Sequence, residues 1–139
     1  MEELNFDTGL KEIKINGGRI IRFNPADIGF LETLYGMIAK VSNIQEEKEK
    51  KRAKSDDIGK LFDYERVSEK RMREAVDSVF GENFCDDVFS DIRLLAMADG
   101  LTVIENFVYA VIEKMDESVR DNLSKRNERI QKYAAKYHK

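Results

Sequence analysis

"LKEIKINGGRIIRFNPAD", residues 10–27, divides the chain into a short β part and a long helical part. Ile13 and Ile15 alternate with lysines, and Ile21 and Phe23 alternate with Ile20 and Arg22. Asn16-Gly17-Gly18 supplies residues that tolerate positive φ, as a tight hairpin turn demands. The stretch from about 10 to 24 therefore reads as a β-hairpin. Two strands are marginal alone, so the hairpin must lie on helices or pair with another chain. "NPAD" then starts a helix: Asn24 can cap, Pro25 suits the first helical position, and Asp27 puts a carboxylate in the first turn. Ile28, Leu31, Leu34, Tyr35 and Ile38 follow at helical spacing, widened by Phe30, Met37 and Val41.

Beyond that point the chain reads as helices. Residues 45–57, "QEEKEKKRAKSDD", hold five bases and five acids, with Glu46–Lys50 and Glu47–Lys51 in the favourable order. Balanced charge predicts a solvated helix extension or linker. Ile58, Leu61, Phe62, Met72, Ala75, Val76, Val79 and Phe80 predict a second helix over about 57–80, stopped by Gly81. Glu65 and Ser68 interrupt its stripe, which predicts a middle that is exposed or faces a partner. A short helix is expected from Asp86 or Asp87, with Val88, Ile92, Leu95 and Ala96 on its apolar face and Asp99-Gly100 at its end. "TVIE", residues 102–105, is a capping box with Thr102 as N-cap and Glu105 three later. Behind it Ile104, Val108, Val111, Ile112, Met115 and Val119 form the most apolar stripe, broadened by Val103, Phe107 and Ala110, so this is the expected central helix. Leu123 and Ile130 carry the pattern into the chain's end. The sum is a mainly α (α+β) single domain, residues 1–139: an N-terminal β-hairpin, then four or five helices in a small bundle over about 25–139.

Composition narrows the class. A chain of 139 residues, 42% apolar and 37% charged, fits a soluble, charge-rich helical domain. No apolar run approaches the roughly 18–20 residues of a membrane span. "MEELNFDTG" is acidic and lacks a secretory signal's pattern, and one cysteine excludes an internal disulfide, so the expected compartment is the cytosol. No catalytic constellation stands out. The single histidine, His138, is next to last; Cys85 sits among acids, which raise a thiol's pKa; Asp86, Asp87 and Asp91 read as first-turn caps rather than cation ligands; and no phosphate-binding glycine motif occurs. The expectation is a protein without enzymatic activity, cofactor or metal.

The end of the chain differs from the rest. Residues 125–139 carry six Lys/Arg against one acid, net +5, so residues 1–124 carry −8. At about 100° per residue, Ile130, Tyr133, Ala134 and Tyr137 share one side of a helix, while Arg129, Lys132, Lys136 and Lys139 lie together about 130° away. A phosphate-binding arm needs the cations but not the apolar stripe. A membrane helix wants Leu, Phe or Trp rather than tyrosines. Docking on an apolar groove uses both stripes, either the protein's own core or a partner. Arg129, Ile130, Lys132, Tyr133, Lys136 and Tyr137 are the partner-binding candidates. The acidic body and basic end also invite head-to-tail pairing into homo-oligomers; the −8 body disfavours nucleic acid.

"LNFDTGLKEIKING", "RFNPAD", "FGENF" followed by "ADGL", and "RIQKYAAKYHK" together resemble, in order and over nearly the full length, a family of small prophage-encoded proteins of Gram-positive hosts. Thr102 and Ile104 stand where relatives tend to carry proline and tryptophan, and Glu128 where they tend to carry proline; these changes favour helix. Such proteins look like tail assembly chaperones of long-tailed phages. The resemblance implies a non-enzymatic chaperone that binds the tape measure protein and the tail-tube protein in the host cytoplasm. It also implies that the chaperone is missing from finished particles, and that a frameshift in many systems extends it near the C-terminus. A structural tail or head–tail completion protein, with the hairpin adding a strand to a neighbour, is the alternative, ahead of a nucleic-acid-associated phage protein.

Overall fold

A computed structural model describes residues 1–137. In chain order the elements are β1 (Lys11–Lys14), β2 (Ile20–Phe23), α1 (Ile28–Arg52), α2 (Ile58–Phe80), α3 (Phe84–Phe89), β3 (Met97–Ala98), β4 (Leu101–Thr102) and α4 (Val103–Tyr137). An N-terminal hairpin is thus followed by four helices, an α+β small bundle in which helix dominates.

The hairpin is antiparallel, with Ile13 opposite Ile21 and Lys14 opposite Ile20. Asn16 and Gly17 both take positive φ, 46° and 76°, and the Gly18 N–H donates to the Ile15 carbonyl at 2.9 Å, as in a type I′ turn. Alternation puts Ile21 and Phe23 in the core and leaves Ile20 in solvent.

The first helix begins later than "NPAD" predicts. Asp27 is its N-cap, the carboxylate accepting the Gly29 N–H at 2.8 Å. Asn24 instead closes the preceding turn, accepting the Ala26 N–H at 2.8 Å, and its amide donates to the Thr8 carbonyl at 3.1 Å. Both carbonyl-type acceptors were available at "NPAD"; the tie to Thr8 recruits Asn24 and leaves the cap to Asp27.

α1 and α2 pack antiparallel: Phe30 meets Phe80 at one end, and Lys48 meets Glu65 at the other, at 3.1 Å. The charged stretch 45–57 is therefore only partly a solvated extension. It stays helical to Arg52, and one side of it packs on α2, burying Lys48 one turn after the buried Ile44. Glu65 and Ser68, which break the apolar stripe of α2, face α1 rather than a partner. Ser68 is buried and Glu65 pairs with Lys48.

The largest departure follows α2. α3 covers only Phe84–Phe89, and residues 90–96 form turns instead of continuing the helix. Glu69 of α2 explains this. Its carboxylate accepts the Leu94 N–H at 3.0 and 3.3 Å, while Arg73 holds the Ile92 carbonyl at 2.7 Å. Tertiary partners have taken the backbone groups that a helix would have used internally. Asp99 and Gly100, at φ 54° and 81°, turn a second short hairpin, with Ala98 opposite Leu101, rather than ending a helix. Asp86 and Asp87 pair with Arg73 and Arg19 respectively.

α4 starts on the expected capping box. The Glu105 N–H donates to Thr102 Oγ1 at 3.2 Å, and the Thr102 N–H donates to Glu105 Oε1 at 2.9 Å. The next two free donors, Val103 and Ile104 N–H, reach the carbonyls of Ala96 and Leu94 at 2.8 and 2.9 Å. The hydrogen bonds from the Thr102 N–H and hydroxyl hold the Glu105 carboxyl below the usual range. A carboxyl lowered on folding stabilises above its unfolded pKa, and that stabilisation is lost as pH falls through the folded value. Thr102→Ala is expected to cost about 1 kcal/mol at neutral pH. The gap to the unsubstituted chain should narrow on acidification by the part carried by the Thr102 hydroxyl's bond to the carboxylate, while the cap on the Glu105 N–H persists, as urea midpoints compared at pH 7 and pH 3 would show; an unchanged gap contradicts the coupling.

One continuous core joins the pieces. Phe23, Phe30, Phe80, Phe84, Phe89 and Phe107 form a chain of aromatic contacts with centroids 4.2–6.2 Å apart, spanning β2 and all four helices. Leu34, Met72, Val76, Leu94 and Val111 are buried in the same cluster.

Candidate partner-binding surface

α4 has two halves with different surroundings. Ile104, Phe107, Val108, Val111, Met115 and Ser118 are buried against the body. From Val119 to Tyr137 every residue is exposed. At 1.5 Å per residue this distal half is about 28 Å long. A free helix of that length is marginal in water, so the packed half must template it.

Apolar residues nevertheless continue along the distal half. Val119, Leu123, Ile130, Tyr133 and Tyr137 are exposed, the last three at 53%, 69% and 67%. Counted through Arg126, their spacing alternates between four and three, the seam of a coiled-coil helix, with one cation in the seam. The Tyr133 and Tyr137 rings lie 5.5 Å apart, and Lys136 Nζ sits 5.6 Å from the Tyr137 ring centre. Arg129 and Lys132 flank the stripe, and neither they nor Lys125, Arg126 or Lys136 form an ion pair among the described residues. Six candidates read from the sequence, Arg129, Ile130, Lys132, Tyr133, Lys136 and Tyr137, are thus brought onto one exposed helix segment.

The sequence leaves open whether this stripe docks on the protein's own core or on a partner; in the folded chain Ile130, Tyr133 and Tyr137 are exposed. As far as Tyr133 the stripe faces the chain's own N-terminal segment across an open groove. Ile130 and Tyr133 form one wall of an open groove of about 880 Å³, whose other wall is Asp7–Lys11. Ser118 lies at the groove's edge, and its buried hydroxyl has no hydrogen-bond partner among the described residues. Two further grooves lie on the body, about 500 Å³ between the first hairpin and α4 and about 590 Å³ between α1 and α4.

Magnitudes say which stripe supplies affinity. An exposed ion pair is worth about 0–1 kcal/mol. Burying an Ile side chain is worth about 1.5–3 kcal/mol. Contact with the apolar stripe can hold a partner; the cations select and orient an acidic one.

The N-terminal arm went unremarked as a contact surface. Leu4 and Phe6 are 86% and 75% exposed, interleaved with Glu2, Glu3 and Asp7. Leu4 and Phe6 two apart, with acids on both sides in "EELNFD", were the available signal.

Other candidates do not assemble a site. Burial, and then Asp77, push the Cys85 thiol up, so it is a core residue and not a nucleophile. Among the described residues no group of three or more His, Cys, Asp or Glu side chains converges, and no helix is long and apolar enough to cross a membrane. His138 and Lys139 lie outside the described residues. Compared with known proteins, the chain matches no protein-family model, no curated protein and no solved structure.

Proposed function

We propose that this protein is a non-enzymatic, tail-assembly-chaperone-like factor that holds a helix of a phage tail protein, the tape measure protein foremost, along the distal half of α4. The observation that carries this reading is the exposed Ile130–Tyr133–Tyr137 stripe on α4, beside cations that form no ion pair among the described residues. A tape measure protein is long and prone to coiled coils, and a heptad-spaced face suits such a client. The sequence resemblance supplies the phage context.

Co-expression with the tape measure protein of the same phage tests it. The client should become soluble with the intact chain. It should return to the pellet with Ile130→Asp/Tyr133→Asp, two changes at exposed positions that leave the fold intact, as circular dichroism would verify. If client solubility is the same with the intact chain, the double variant and no chain at all, the reading fails. Finding the protein in purified particles would instead favour a structural tail component.

A further inference from the structure

We propose that two copies of this chain exchange N-terminal arms, residues 1–7 of each lying along the distal half of the other's α4. The proposal concerns self-association on the same stripe that a client helix would take, so the arm and a client compete for it. Its basis is that one chain carries two exposed, complementary and unused surfaces. The arm presents Leu4 and Phe6 with Glu2, Glu3 and Asp7 and no Lys or Arg. The distal helix presents Ile130, Tyr133 and Tyr137 with five cations that form no ion pair among the described residues.

The arm does not cover its own helix. Its exit is fixed by a turn, the Asp7 carboxylate accepting the Gly9 N–H at 2.8 Å, with Gly9 at φ 76° and Thr8 tied to Asn24. Alanine at Gly9 would bring its Cβ to 2.5 Å from the Asn24 amide, so the turn admits only glycine. Beyond it Leu4 and Phe6 stand in solvent while Ile130 and Tyr133 stay open.

Reach and symmetry fit an exchange. Seven extended residues span about 23 Å, and residues 125–137 of a helix rise about 18 Å. The arm's root and the helix base share one groove, so a two-fold axis beside it brings both contacts into one closed, isologous interface.

The test is a charge swap read by sedimentation of the full chain. The unsubstituted protein should run near twice its 16.1 kDa. Glu2→Lys/Glu3→Lys should weaken the dimer by about tenfold or more, as should Arg129→Glu/Lys132→Glu, and combining all four should restore it. A monomer at every concentration up to about 1 mM overturns the proposal, because no interface of useful strength remains. So does a dimer indifferent to the Glu2/Glu3 pair, the result expected if the distal helices pair with each other, and so does failure of the four-fold variant to recover. Client solubilisation is not part of this readout, so either proposal can fail alone.

Discussion

Glu69→Ala is expected to lower stability by about 3–5 kcal/mol, the range for breaking one partner out of a buried charge pair. For a domain of this size the whole margin is about 5–15 kcal/mol. Glu69 is buried in the middle of α2, where it joins three parts of the fold. Its Oε1 accepts from Arg73 Nε at 3.1 Å and from the Leu94 N–H at 3.0 Å. Removing the carboxylate strands a buried backbone donor and leaves a largely buried guanidinium with Asp86, at 3.2 Å, as its remaining carboxylate. Arg73 also carries the Ile92 carbonyl, so the loop that supplies acceptors to the first turn of α4 loosens with it. Glu69→Gln keeps an acceptor for Leu94 and should cost less, about 1–3 kcal/mol. Urea denaturation of both variants checks this ordering. A Glu69→Ala cost under about 1 kcal/mol would mean that water replaces the carboxylate and the network does not hold the loop.

The parts of the fold that were legible in the sequence rest on local chemistry. Asn16-Gly17 specifies its turn by positive φ, and Thr102 with Glu105 specifies a helix start through its own side chains. The apolar stripe from Ile104 to Met115 announces a buried face because period and burial coincide. What was not legible rests on distant partners. Residues 90–96 keep an apolar spacing suited to helix, yet Glu69 and Arg73, about twenty residues earlier, take their backbone groups. Glu69 gives no local sign of this; in sequence it is one more acid on a charged helix. The second hairpin was signalled only by Asp99-Gly100, which also suits a helix stop, and its two-residue strands show no alternation. The candidate surface was legible as an amphipathic segment, because 3.6-residue periodicity survives whether or not the face is covered. Whether it is covered depends on where the body ends, and periodicity carries no information about that.

Phe84→Ala is expected to cost about 3–5 kcal/mol, through lost apolar burial and a cavity its neighbours cannot close. Phe84 is fully buried, with ring centroids of Phe80, Phe107 and Phe89 at 5.0, 5.5 and 6.2 Å. Those three rings belong to α2, α4 and α3, so filling the void would require three elements to move together. The Arg19 guanidinium lies 5.9 Å from the ring centre and is also held by Asp87 and the Glu82 carbonyl. It therefore cannot swing in, and a buried charge without a partner would be worse than the void. Phe84→Leu fills part of the space and should cost noticeably less. Cys85, next in the chain and fully buried, gives an independent readout. Its thiol should resist a disulfide reagent in the native chain, and Phe84→Ala should speed labelling about a hundredfold or more, since every 1.4 kcal/mol is tenfold in the open population. Measured dilute enough for the chain to be monomeric, Ile130→Ala, at a position exposed in the single chain, should change neither stability by more than about 0.5 kcal/mol nor the labelling rate appreciably. Equal labelling of the Phe84→Ala and Ile130→Ala variants would show that Phe84 is not what keeps Cys85 closed in the core.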